Sequence, residues 1–135
     1  MHKGWSGGGR FQMARLGPAL MIHFNHLTSR GGKFQADMGD FFRKNARDIR
    51  PDFAPYDVRI WIEHTGKERR IDVDNVAKAC LDCLTGVLWQ DDAQVKRLLV
   101  EKRQGMMDQV HMLAKPCTDL PDACALEDYL KDIDE

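Results

Sequence analysis

The sequence has no long apolar run. Its longest stretch free of Asp, Glu, Lys and Arg, Leu16–Ser29, is 14 residues. A membrane-spanning helix needs ~18–20, and this stretch also contains His23, Asn25 and His26. The opening Met1–Arg10 (MHKGWSGGGR) is polar and glycine-rich, without the apolar core of a secretory signal. Both absences point away from a membrane or exported protein. Proline is scarce, at five residues. Cysteine lacks a metal-ligand pattern: Cys80 and Cys83 form a C-x-x-C pair, but Cys117 and Cys124 are separated by six residues. No histidine stands at a standard ligand spacing from either pair. Cys80 and Cys83 also fall within a helical pattern, as small core residues. The four cysteines read as reduced thiols of a cytoplasmic protein, not as a zinc site.

What is present is an ordinary globular composition, 43% hydrophobic and 30% charged over 135 residues, enough for one domain with its own core. The net charge of −1 conceals an uneven distribution. Residues 118–135 carry seven acids (Asp119, Asp122, Glu127, Asp128, Asp132, Asp134, Glu135) against Lys131 alone, so the tail holds −6 and residues 1–117 hold +5. A basic body with an acidic appendage suits nucleic-acid binding with a self-shielding tail, and equally suits an ordinary solvated surface.

Patterning divides the chain into a flexible leader (1–17), a body (18–117) and the tail (118–135). Ala19–Phe24 suits a buried strand, and Asn25–Lys33 reads as loop. Met38, Phe41, Phe42, Ala46 and Ile49 make the i, i+3, i+4 stripe of an amphipathic helix, with Arg43, Lys44, Arg47 and Arg50 on its other face. Asp57–His64 alternates Val58, Ile60 and Ile62 against Arg59, Trp61 and Glu63, as a half-buried strand does. Asn75–Thr85 predicts a second helix, capped by Asp74 or Asn75 and stopped by Gly86. Gln94–Lys102 and Gln109–Ala114 predict two more strands, joined as a hairpin at Gln104-Gly105. The expected architecture is one α+β domain, a mixed sheet in the order β-α-β-α-β-β with two packed helices.

Chemistry concentrates in Arg69–Gln94. Asp72 and Asp74 are two apart and share a side of an extended segment. Asp74, Lys78, Asp82 and Thr85 form one polar stripe of the second helix. That helix is ~16 Å long, and the five residues Gly86–Gln90 return ~16 Å, which brings Asp91-Asp92 back beside Asp72 and Asp74. Carboxylates so crowded repel unless one is protonated or a divalent cation neutralises them, and all-oxygen donors suit Mg²⁺ or Mn²⁺. The same aspartates also suit helix caps and a turn, and Lys78 an i, i+4 ion pair with Asp74 or Asp82. An EF-hand is excluded, because Ala77 replaces the loop glycine and Cys83 the twelfth residue. A D-x-D phosphatase would lead into Asp72 with a hydrophobic strand, where this chain has Arg69-Arg70, and a D-x-D glycosyltransferase needs a larger domain.

The run D-x-D-N-x-x-K-A-x-x-D-x-L (Asp72, Asp74, Asn75, Lys78, Ala79, Asp82, Leu84), followed by W-x-D-D-x-Q-V (Trp89, Asp91, Asp92, Gln94, Val95), resembles the RusA family of Holliday-junction resolvases. The resemblance is close over Arg69–Val95 and loose over Ala19–Ala114. It implies a small homodimeric, Mg²⁺-dependent endonuclease, often prophage-borne, that cuts four-way DNA junctions symmetrically in recombination and repair. Carried over by residue, Asp72, Asp74 and Asp92 are the metal-binding and catalytic acids, with Lys78 the essential lysine. Residues 18–117 are then the nuclease domain. The family's proline-rich segment after its first strand is missing, since Phe24-Asn25-His26 has no proline, which leaves junction preference open. Lys67, Arg69, Arg70, Lys96, Arg97, Lys102 and Arg103 are the expected DNA contacts, through phosphates. Two other classes compete. One is a non-catalytic branched-DNA-binding protein, the other a metal-dependent hydrolase or transferase acting on nucleotides.

Overall fold

A computed structural model of the chain describes residues 5–6, 11–25, 31–66 and 72–117. The acidic tail and Lys67, Arg69 and Arg70 lie outside the described residues. The elements are β1 (Trp5–Ser6), β2 (Phe11–Leu16), β3 (Ala19–Phe24), α1 (Gly31–Asn45), β4 (Tyr56–His64), α2 (Val73–Leu84), a 3-10 turn (Asp92–Gln94), β5 (Val95–Gln104) and β6 (Gln109–Pro116). They form one mixed sheet in the order β1-β2-β3-β6-β4-β5, five strands extended at one edge by the two-residue β1. The α+β class expected from the pattern is the one found. Among the described residues, no helix is long and apolar enough to cross a membrane.

Alternation builds the core. Ile22 of β3, Val58, Ile60 and Ile62 of β4, and Val110 and Met112 of β6 are completely buried on one face of the sheet. Met38, Phe41 and Phe42 of α1, and Val76, Cys80 and Leu84 of α2, close over them. The stripe that predicts α1 from Met38 is correct, but the helix begins at Gly31, inside the expected loop, and ends at Asn45 before Ile49. Glycine costs least in a first turn, whose amides have no intrahelical partner in any case.

The expected leader is corrected over Phe11–Leu16. This segment pairs antiparallel with β3 from Phe11↔Phe24 to Leu16↔Ala19, burying Phe11 and Met13. Gly17 at φ 61° and Pro18 make the two-residue turn, with glycine at the position of a type II′ hairpin that needs positive φ.

The expected β5–β6 hairpin does not form. β4 lies between the two, parallel to β5 and antiparallel to β6. A parallel pair requires a crossover, which α2 supplies. β6, with alternate residues buried, takes the central place, and the charged, largely exposed β5 takes the edge, where charge discourages pairing with other chains. The chain still reverses at Gly105, but it does so across the end of β4: the Gly105 amide donates to the His64 carbonyl at 2.8 Å and the Met106 amide to Glu63 at 3.1 Å.

On the sheet's other face His23 and His111 stack with ring centroids 4.6 Å apart. Burial, then the neighbouring His23, hold the His111 pKa below the ordinary imidazole value, while Glu63 pulls it the other way. The unfolded chain therefore takes up this proton at a higher pH than the folded one. The contribution to stability is present above about pH 6.5 and is lost as pH falls from there to the folded value. The melting temperature should fall between pH 7 and pH 5, and fall less in His111→Phe, which keeps a ring in place. Equal falls in the two proteins would acquit His111.

Candidate active site

α2 starts on Asp72, two residues ahead of the expected cap. Its Oδ1 accepts from the Asp74 amide at 3.1 Å and its Oδ2 from Asn75 Nδ2 at 3.0 Å. Its carbonyl accepts from the Val76 amide at 3.1 Å. An aspartate at this position satisfies amides of the first turn that have no helical partner. The far end stops at Gly86, whose φ of 87° a residue with a side chain adopts only under strain.

Between these ends α2 presents Asp74, Lys78 and Asp82 to an open groove of about 280 Å³, with Asp92 across it and Leu98 and Val100 of β5 as an apolar wall. The return from Gly86 brings Asp92 to the groove that α2 lines from Val73 to Asp82, an approach the chain length allows. Among the described residues, the carboxylates of Asp74 and Asp92 take no hydrogen bond or ion pair, and Lys78 does not form its i, i+4 pair. The groove lining does not include Asp72, and no three acid, histidine or cysteine side chains among the described residues are placed to hold a metal together. Of the three expected metal-binding acids, then, two share the groove and the third caps the helix beside it.

A 3-10 turn separates the roles of Asp91 and Asp92. Asp91 caps the 3-10 turn, its side chain accepting from the Ala93 amide at 2.9 Å. Asp92 is the first residue of that turn and lines the groove. Trp89 is completely buried and its indole donates to Thr85 Oγ1 at 3.0 Å, fixing the loop to the end of α2.

The expected DNA contacts on β5 divide between two faces. Leu98 and Val100 line the groove, so strand alternation puts Lys102 on the same face and Arg97 and Arg103 on the opposite one. Arg97 lies 3.7 Å from the buried Asp57, and Arg103 3.4 Å from Glu101. Lys96 donates to the Ala93 carbonyl at 3.0 Å. Cys80, on the inner face of α2, is completely buried and burial pushes its thiol up; burial and then Asp82 push the Cys83 thiol up to about 12. Both are free thiols.

Asp82 is the groove residue given no role in advance, although its place one turn beyond Lys78 was the signal. A second, larger groove of about 590 Å³ runs between the ends of α1 and α2, with Arg43, Arg47 and Arg50 along it. Helical spacing alone places these arginines on the exposed face of α1 and does not reveal the cleft they face.

The polar side chains of the first groove are three carboxylates, Asp74, Asp82 and Asp92, and one ammonium, Lys78, so the groove is acidic. The sequence profile of the family described as Endodeoxyribonuclease RusA matches residues 43–111, from the end of α1 to the middle of β6, and so spans the whole groove. The chain belongs to this family of endodeoxyribonucleases. No curated protein matches it.

Proposed function

We propose that this chain is a divalent-metal-dependent endonuclease that resolves four-way DNA junctions by paired symmetric nicks, acting as a homodimer in recombination and repair. The observation that carries the reading is the convergence of Asp74, Lys78 and Asp92, all within the family match, on one groove. The donor set fits Mg²⁺ or Mn²⁺, since hard divalent cations prefer carboxylate oxygen. Asp74 and Asp92 would hold the cation. Asp72, capping the helix beside the groove, has lone pairs beyond its two hydrogen bonds and would join them by turning toward the groove. When bound, the cation would draw in the phosphate, lower the pKa of a water and offset charge on the leaving oxygen. Lys78, one helical turn beyond Asp74, would stabilise charge that develops on a phosphate oxygen. A four-way junction has approximate two-fold symmetry, so a two-fold dimer would set one groove on each of two opposed strands.

The test is to incubate the full chain with synthetic four-way junctions, linear duplex and free nucleotides, with and without Mg²⁺. Paired nicks in the junction that depend on Mg²⁺ are expected. Tight junction binding without cutting would favour a branched-DNA-binding protein, and turnover of nucleotides a different hydrolase. Junction affinity in Ca²⁺ should also fall with salt through counterion release, by ~10³–10⁵ between about 50 and 200 mM if six to ten phosphates are engaged. Salt-independent affinity would rule out a grip on phosphates.

A further inference from the structure

Two side chains brace the turn that carries Asp92: Asp91, which caps it from within, and Gln94, which ties it to the rest of the fold. Gln94 Oε1 accepts from the Gln90 amide at 2.8 Å and from the Asp91 amide at 3.0 Å. Its Nε2 donates to the Asp52 carbonyl at 2.8 Å and to the Ala54 carbonyl at 2.9 Å. The side chain thus ties the loop leading into β5 to the loop leading into β4. Around it the same two loops share further bonds: the Asp52 amide donates to the Leu88 carbonyl at 3.1 Å, the Gln90 amide to the Asp52 carbonyl at 3.3 Å, and Tyr56 Oη to the Leu88 carbonyl at 3.2 Å. Those bonds hold residues 88–90. Among the described residues, only Gln94 reaches the Asp91 amide, one residue ahead of Asp92.

We propose that Gln94 is a positioning residue for the metal site, fixing the turn from which Asp92 meets Asp74 across the groove. The proposal rests on the nuclease reading above, in which Asp92 is a metal ligand. The chemistry requires an amide of this length. Two backbone amides meet one acceptor here and two carbonyls meet one donor, and only a carboxamide offers two N–H donors and a two-lone-pair oxygen from one flat group. The partners also fix its orientation, because exchanging O and N would set donor against donor and acceptor against acceptor at all four contacts. Glutamate keeps the acceptor half and turns a carboxylate on two carbonyls. Methionine keeps the length and loses both halves. Asparagine falls one methylene short. Gln94 itself never faces the groove, so its effect on a cation must pass through Asp92. An exposed acidic groove depends on such support, since a ligand on a wandering loop loses cation affinity to its own disorder.

The test uses the full chain and its Gln94→Glu and Gln94→Met variants. Mn²⁺ affinity is measured without DNA, by the paramagnetic signal of free Mn²⁺. Amide exchange at Gln90 and Asp91 and the melting temperature are followed alongside. Loss of such an outer support commonly weakens metal binding by about 10–100-fold. The expected result is a loss in that range for Gln94→Met, faster exchange at both amides, and a cutting rate that recovers when Mn²⁺ is raised. A merely structural glutamine would lower the melting temperature without a rate that excess metal restores. Should Gln94→Met fail to fold, Gln94→Glu, which keeps the two amide bonds, decides the matter by a smaller loss of affinity. For Gln94→Met, Mn²⁺ affinity within about twofold of the parent or unchanged protection of both amides overturns the proposal; for Gln94→Glu, affinity within about twofold of the parent does. If the parent protein neither binds Mn²⁺ nor cuts a junction, the nuclease reading itself has failed, which is a separate result.

Discussion

Asp92→Asn should abolish Mg²⁺-dependent cutting of a four-way junction, while junction binding measured in Ca²⁺ persists or tightens. The carboxamide preserves shape but removes half of the negative charge that Asp74 and Asp92 would bring to a cation. With that charge gone, repulsion between the groove and the DNA phosphates also falls. Asp91→Asn is the matched control. Asp91 spends its carboxylate on the Ala93 amide, and asparagine caps a helical turn about as well as aspartate, so both fold and cutting should survive. Asp91→Ala should cost about 1 kcal/mol of stability as a lost cap, visible in denaturant unfolding, with cutting still measurable. Should Asp91→Asn prove dead and Asp92→Asn active, the metal-binding corner has been assigned to the wrong one of two adjacent acids.

Much of the region around the groove was legible because local periodicity determines it. The inward set Val58, Ile60 and Ile62 follows from alternation alone, and the Asp74, Lys78, Asp82 stripe from helical spacing. The approach of Asp92 to α2 follows from comparing two lengths of chain. What local patterns do not carry is which strand lies beside which. β5 and β6 are separated by a short turn and read as a hairpin. The intrusion of β4 depends on the competition between a charged strand and an apolar one for the centre of the sheet, which neither strand reveals alone. β2 escaped notice for a related reason: Phe11 and Met13 alternate, but Arg15 and Leu16 at its end are exposed, and no β-branched residue marks it. The cap of α2 slipped by two residues because Asp72, Asp74 and Asn75 are all good capping types, and only the fold chooses among them. In W-x-D-D-x-Q the spacing identified a motif but not the work of its members. Trp89 anchors, Asp91 caps, Gln94 braces, and Asp92 alone faces the groove.

Lys78→Ala should slow junction cutting by ~10²–10³, the usual cost of removing one cation aimed at developing charge, with little loss of junction affinity. The asymmetry follows from where positive charge stands. Ground-state phosphates would have other partners: Lys102 shares the groove's face, and Arg43, Arg47 and Arg50 line the second groove. Charge on the reacting phosphate during cleavage would be met at this groove, where Lys78 is the cation among its lining residues. Lys78 makes no ion pair with Asp74 or Asp82 among the described residues, so its removal frees no buried acid and the fold should be unaffected. Single-turnover cutting at saturating protein, beside equilibrium binding in Ca²⁺, separates the two effects. Lys78→Arg should restore part of the rate, since it returns the charge in a different shape. If binding and cutting fall together in Lys78→Ala, the lysine is a DNA anchor and its charge has no special part in the cleavage step.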